Sequence, residues 1–349
     1  MGVWYATRED VKDALDVKET ARANSRIDRA IEAASRSVEG LLHRRFYPLT
    51  ATRYWDWPNE QTARPWRLWL DDSELISVAS LSSGGTTIGT NAYNLEPNRT
   101  GPPYSRIELK LSTSASFGGG STHQRDITVT GLWGYSNDET YVADVDESMT
   151  LTETDLDVTT SAGIGVGSVL RVGTERLLVT EKSMKDTLVD LPTPMTASAA
   201  DVTVQGVSAG FSVGEVILLD SERMLIVDKT ATSLTVKRAW DGSTLAAHTG
   251  SDIYALRTLT VTRGALGTTA ATMSAGDDIY RWSPPGPVQA LTIAEASNTL
   301  LQEPAGYART VRAQTGTGTR SIAAVTASLE ELRAQVYGSH GRKARTRAV

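Results

Sequence analysis

The chain holds 349 residues, 40% of them hydrophobic, which is more than one core usually needs and makes two domains the natural expectation. A net charge of −6 excludes a wholesale basic coat for nucleic acid, and zero cysteines exclude disulfides, thiolate metal sites and cysteine nucleophiles together. The four histidines, His43, His123, His248 and His340, show no metal-ligand spacing, and no apolar run approaches the roughly 20 residues that span a bilayer.

The first 45 residues read as two helices. Thr7 is placed to cap the first, ahead of the acidic turn Glu9-Asp10, with Val11, Ala14 and Leu15 on its apolar side. The second carries Ile27, Ala30, Ile31, Ala34, Val38, Leu41 and Leu42 at three- and four-residue steps. Its other face sets Arg22, Arg26, Arg29 and Arg36 among Asp28, Glu32 and Glu39, a mixture suited to a solvated or subunit-facing surface. From Thr50 the period changes to two, in short runs between Thr52 and Leu132 punctuated by Gly84-Gly85, Gly101-Pro102-Pro103 and Gly118-Gly119-Gly120. These predict a compact antiparallel sheet whose core is capped by Trp55, Trp57, Trp66, Trp69 and Trp133.

An internal repeat follows. Residues 161–179 align with 208–226 at an offset of 47, with nine of 19 positions identical, including Glu175/Glu222 and Arg176/Arg223. A second pair, LTVKRAWDGS from Leu234 and LTVTRGALGT from Leu259, recurs at an offset of 25. The order first half, first half, second half, second half predicts one β-domain nested inside another: 161–188 should pair with 259–282 around a domain of 204–254. Charge marks the same segment, since residues 144–283 hold 19 acidic and 11 basic side chains against 22 and 24 in the rest.

The chain leaves through Pro284-Pro285-Gly286-Pro287, read as a stiff non-helical hinge. A helix through Leu301, a Gly/Thr link at Gln314–Thr319 and a last helix from Ile322 to Val336 follow. Four of the final eight residues are basic: Arg342, Lys343, Arg345 and Arg347. The segment from Gly338 lacks an apolar stripe and is expected to be unfolded in the free chain. Four regions result: a host at 1–140, an acidic β-insertion at 145–283, the host's C-terminal helices at 287–338 and a basic tail at 339–349.

Catalytic signals are weak. Gly118–Gly120 lacks the Lys-Ser/Thr of a phosphate loop, Asp71-Asp72 and Asp277-Asp278 read as turn residues, and His123 and His248 have no nucleophile-elbow motif near them. The duplicated Glu-Arg pairs read as structural salt bridges or turn contacts, and the tryptophans as core. No enzyme, cofactor or metal is expected.

The segments TREDVKDALDV, RIDRAIEAASRSVEGLLHRRFYP, YWDWP, YNLEPNRTGPPYSRIEL and ITVTGLWGY, in that order, resemble the head-to-tail connectors of tailed phages. The resemblance covers about residues 4–135 and, more weakly, the helices after Pro287; the insertion after Tyr135 departs from it. It implies an α+β fold, a helical bundle with a small antiparallel β-region, to which the nested β-domains are added. It implies a ring in the virion neck, usually twelvefold, assembled in the host cytoplasm. Its partners would be the portal protein above and a neck or tail protein below, with DNA passing through without sequence-specific binding and no membrane involved. Under this reading Arg22, Arg26, Arg29, Glu32, Arg36 and Glu39 supply the subunit interface, and Arg342, Lys343, Arg345 and Arg347 dock on the portal. The alternatives are another neck, tail-completion or decoration protein, or a carbohydrate-binding virion module built on the tryptophan-rich sheet.

Overall fold

The structure, a computed structural model, describes residues 2–15, 24–61, 63–303, 310–312 and 319–342, with no side chains described between 304 and 327. Helices are its minority. Four of them, α1 (Arg8–Ala14), α2 (Asn24–Leu42), α3 (Gly286–Gln302) and α4 (Ile322–His340), stand against nineteen strands among the described residues. The expected helical bundle with a small β-region is therefore overturned. The period-two runs build two sheets of their own instead of an appendage, and the insertion adds a ten-stranded sheet.

The first sheet orders β1 (Leu49–Trp55), β7 (Ile127–Trp133), β3 (Leu75–Ser83) and β4 (Thr86–Thr87), and the second orders β2 (Arg67–Trp69), β6 (Arg106–Leu109) and β5 (Tyr93–Glu96), all antiparallel. β7 alternates strictly, with Ile127, Val129 and Trp133 turned inward, so period two places its apolar side chains on one face. Together the two sheets enclose a core of Trp55, Trp57, Leu68, Leu75, Ile107 and Trp133.

The insertion begins on β8 (Glu139–Asp144) and ends on β17 (Asp278–Trp282), which pair with Glu139 opposite Trp282, so it leaves the host beside the point where it starts. Between them, β11 (Glu175–Asp190) and β16 (Asp252–Thr262) form a long antiparallel ribbon with three register shifts. One end of the ribbon, where Val179 faces Val261, joins β9 (Asp155–Asp157) and β10 (Val169–Val172) around Leu156, Leu170, Leu259 and Ile279. The other end, where Val189 faces Ile253, joins a separate core. That core is closed by β12 (Thr203–Gln205), β13 (Val216–Leu219), β14 (Glu222–Lys229) and β15 (Ser233–Lys237). We call these module one and module two.

The helices form one layer. Thr7 caps α1 with a reciprocal pair of bonds, its hydroxyl accepting from the Asp10 amide (3.1 Å) and its own amide donating to the Asp10 carboxylate (2.8 Å). The apolar stripe of α2 meets the C-terminal helices: Ile27, Ala30, Ile31 and Ala34 with Ala296 and Leu300, then Val38 and Leu42 with Val288, Leu291, Leu329 and Val336. Module one is built into this layer, because Val166 belongs to the first of these clusters and Val169 and Leu178 to the second. Gly167, at φ +97°, lies directly against the Trp4 ring, where a Cβ would collide with it. The Val166 carbonyl accepts from the Arg8 amide (3.0 Å), and its amide donates to Glu9 (2.8 Å).

Two local expectations change. The Pro284–Pro287 stretch does not exclude helix throughout: α3 already starts at Gly286 with proline in its first turn, where a missing N–H costs no intrahelical bond. The expected Gly/Thr link is flanked by β18 (Thr310–Arg312) and β19 (Thr319–Ser321), which pair as a hairpin ahead of α4.

Candidate anion-binding cleft beside the helix layer

The charged face of α2 is spent largely inside the chain. Arg26 reaches Glu303 at 2.7 Å and Arg29 the same carboxylate at 3.8 Å, tying α2 to the end of α3. Glu32 accepts from the Trp4 indole (2.6 Å) and the Gly2 amide (3.2 Å), and Glu39 from the Tyr5 hydroxyl (2.8 Å). Arg36 pairs with Glu39 (2.9 Å) and donates to the Val3 carbonyl. These side chains therefore hold the N-terminal segment onto α2. Arg22 lies outside the described residues.

The C-terminal segment is also anchored as far as it is described. α4 runs on to His340, and the Arg342 amide donates to the Leu42 carbonyl (2.9 Å) at the end of α2. The Arg342 guanidinium donates to the carbonyls of Asp71 and Asp72 and pairs with the Asp72 carboxylate at 3.2 Å. The expectation of an unfolded segment from Gly338 is thus corrected for 338–342: backbone groups at the ends of α2 and α4 need partners and find them in each other. Lys343, Arg345 and Arg347 lie outside the described residues.

Arg36, Glu39 and Arg342, expected in two unrelated roles, line one cleft of about 770 Å³. It is lined by the C-terminal end of α2, strand β1 and the 72–74 turn, together with Trp133 and Gly134. Gly134, at φ +138°, lets the chain pass against the Tyr47 carbonyl, which a Cβ would strike. Three further arginines line it: Arg44, Arg45 and Arg53. Each of the three acids there is already matched, Glu39 to Arg36, Glu74 to Arg44 (2.9 Å) and Asp72 to Arg342.

Arg45 and Arg53 remain. Among the described residues neither guanidinium has a carboxylate partner or a hydrogen bond. Arg45 is exposed; Arg53 is half-buried and stands over the Trp133 ring, 4.4 Å from its centre. Burial first, and then repulsion from Arg45, push the Arg53 guanidinium below its ordinary value. Sequence reasoning missed both, because Arg45 lies past the helical face that was considered and Arg53 sits in a strand read only for its tryptophans.

The other candidates resolve into structure. The Gly118–Gly120 loop donates its amides to Ser83 (2.8 Å) and Asp126 (2.9 Å), leaving it no phosphate cradle at those positions. Trp55, Trp57 and Trp133 are buried. Glu175 and Glu222 do not pair with the arginines that follow them. Each is fully buried and accepts from Nε and Nη2 of the arginine in the second half-repeat, Arg263 for Glu175 and Arg238 for Glu222, all at 2.8 Å. Each also accepts two backbone amides, from Gly264 and Ala271 or from Ala239 and Ala246. Burial opposes ionisation of Glu222, but these bonds and one from His248 outweigh it and hold its carboxyl down at about 2. His248 is buried with Nδ1 on Asp220 (2.7 Å) and Nε2 on Glu222 (3.0 Å), so both ring nitrogens are occupied by the lock.

No protein-family model matches the chain, and no curated protein or solved structure matches it either.

Proposed function

We propose that the chain is a structural protein of the tailed-phage neck, a connector that forms a ring beneath the portal. The observation that carries this reading is the helix layer. The two segments that resemble connectors lie at opposite ends of the chain, and α2 from one packs along α3 and α4 from the other. The β-modules are additions mounted on that layer. In this role the chain assembles into a homo-oligomer, proposed as dodecameric, with the portal above and a neck or tail protein below, and DNA passes through without base-specific contacts. It acts by presenting surfaces and needs no reaction. The test is imaging of purified protein alone and mixed with the cognate portal protein. Rings that stack on the portal are expected; a monomer that neither closes into rings nor joins the portal refutes the reading.

A further inference from the structure

Independently of that reading, the 770 Å³ cleft has a charge arrangement that points to a ligand. Five arginines face three carboxylates, and the three pairings described above leave two cations over. The two come from different segments of the lining, Arg45 following α2 and Arg53 on β1. Like charges brought together in this way raise the free energy of the empty site, and an anion placed between them removes that cost. Stacking on Trp133 holds the Arg53 fork in one place without satisfying its N–H groups.

We propose that this cleft binds a phosphate group, gripped between Arg45 and Arg53 above Trp133. A carboxylate offers two oxygens in one plane, a geometry that one guanidinium fork matches, as Arg263 and Arg238 do at Glu175 and Glu222 elsewhere in the chain. A tetrahedral phosphate offers oxygens on several sides and can accept from two forks at once. Its charge of nearly −2 as a monoester matches the two unpaired cations. The same chemistry is presented by free phosphate, by a phosphomonoester and by the backbone of a nucleic acid.

The experiment uses the full chain at low salt, with inorganic phosphate as probe, followed by broadening of its ³¹P resonance. Wild-type protein should broaden the line, and Arg45→Gln and Arg53→Gln should each weaken binding about tenfold or more. Arg45 is exposed and, among the described residues, makes no hydrogen bond or ion pair, so its variant is expected to fold even if loss of the Trp133 stack harms the other. A short oligonucleotide that displaces the phosphate from wild type, and whose own binding weakens in Arg45→Gln, identifies a nucleic-acid backbone as the source. Failure to displace it leaves the free or monoester form, which equally upholds the site. Absence of phosphate binding, or binding unchanged in Arg45→Gln, overturns the proposal. Displacement by glutarate as effectively as by phosphate also overturns it, in favour of a carboxylate ligand.

Discussion

Modules one and two share a lock and differ in what lies over them. In both, a buried glutamate is held by an arginine fork and two amides with nearly the same distances. Yet Val166 of module one is 1% exposed under the helices, whereas Val213, its counterpart 47 residues on, is 48% exposed. Val169 and Leu178 are buried in the helix core while Val216 and Leu225 are only half-buried. Duplication thus preserved the inside of the module, where the lock sets the fold, and left the outside to its neighbours. The modules diverge in polarity beside the lock: buried His248 of module two stands where module one has Met273, and the exposed Asp220 that meets it where module one has Gly173. Module two consequently carries a polar extension of the lock that module one lacks.

The largest effect that would test this contrast comes from opening the locks. Glu175→Gln and Glu222→Gln should each cost about 3–5 kcal/mol, because each leaves an arginine buried without its charge partner. The consequences should differ in reach. Loss in module one should lower hydrogen-exchange protection in α2 and α3, through Val166, Val169 and Leu178, while loss in module two should stay within 190–255. Equal loss of helix protection in the two variants would show that the modules are not separable.

Glycines at equivalent positions come next. Gly167→Ala should destabilise by about 3 kcal/mol, combining a positive φ with collision against Trp4. Gly214→Ala has the same backbone problem at φ +94° but ordinary contact, 3.6 Å from the Ala162 carbonyl, and should cost about 1 kcal/mol. Urea midpoints of the two variants measure the difference, which is the contribution of the helix contact itself.

Substituting His248→Met gives module two the residue of module one. It should cost about 1–3 kcal/mol, since Asp220 and Glu222 each lose a hydrogen bond. Acid should act on the wild-type lock in a defined direction. The Glu222 carboxyl is depressed to about 2 in the fold, so its contribution is complete above the unfolded value of about 4.3 and is lost as pH falls from there towards 2. Exchange protection in 190–255 followed through that window should fall in wild type, and less steeply in the methionine variant.

The smallest effect concerns an ion pair from α1 to module two, Lys12 with Asp241 at 3.1 Å, a carboxylate that Arg223 also holds at 2.7 Å. Lys12→Ala should change stability by no more than about 1 kcal/mol. A larger loss in thermal unfolding would mean that module two leans on the helices more than its exposed Val213 suggests.

Sequence alone determined the elements and their nesting signal. Thr7 marked a helix start, the stripe from Ile27 to Leu42 marked the buried side of α2, and the offsets of 47 and 25 picked out both glutamates and the segments carrying both arginines. These are local or repetitive patterns, and periodicity or self-comparison reads them directly. Tertiary structure alone decided the partners. Glu175 is followed immediately by Arg176, but β-pairing brings Arg263 to it, and Arg176 turns to Glu139 instead. The balance of the fold was hidden for the same reason, since short β-runs do not reveal whether they close into one small sheet or several. The cleft joins residues from the end of α2, β1, a turn near 72 and the region after α4. Those segments share no pattern along the chain, and their charges acquire a common meaning only when packing sets them around one space.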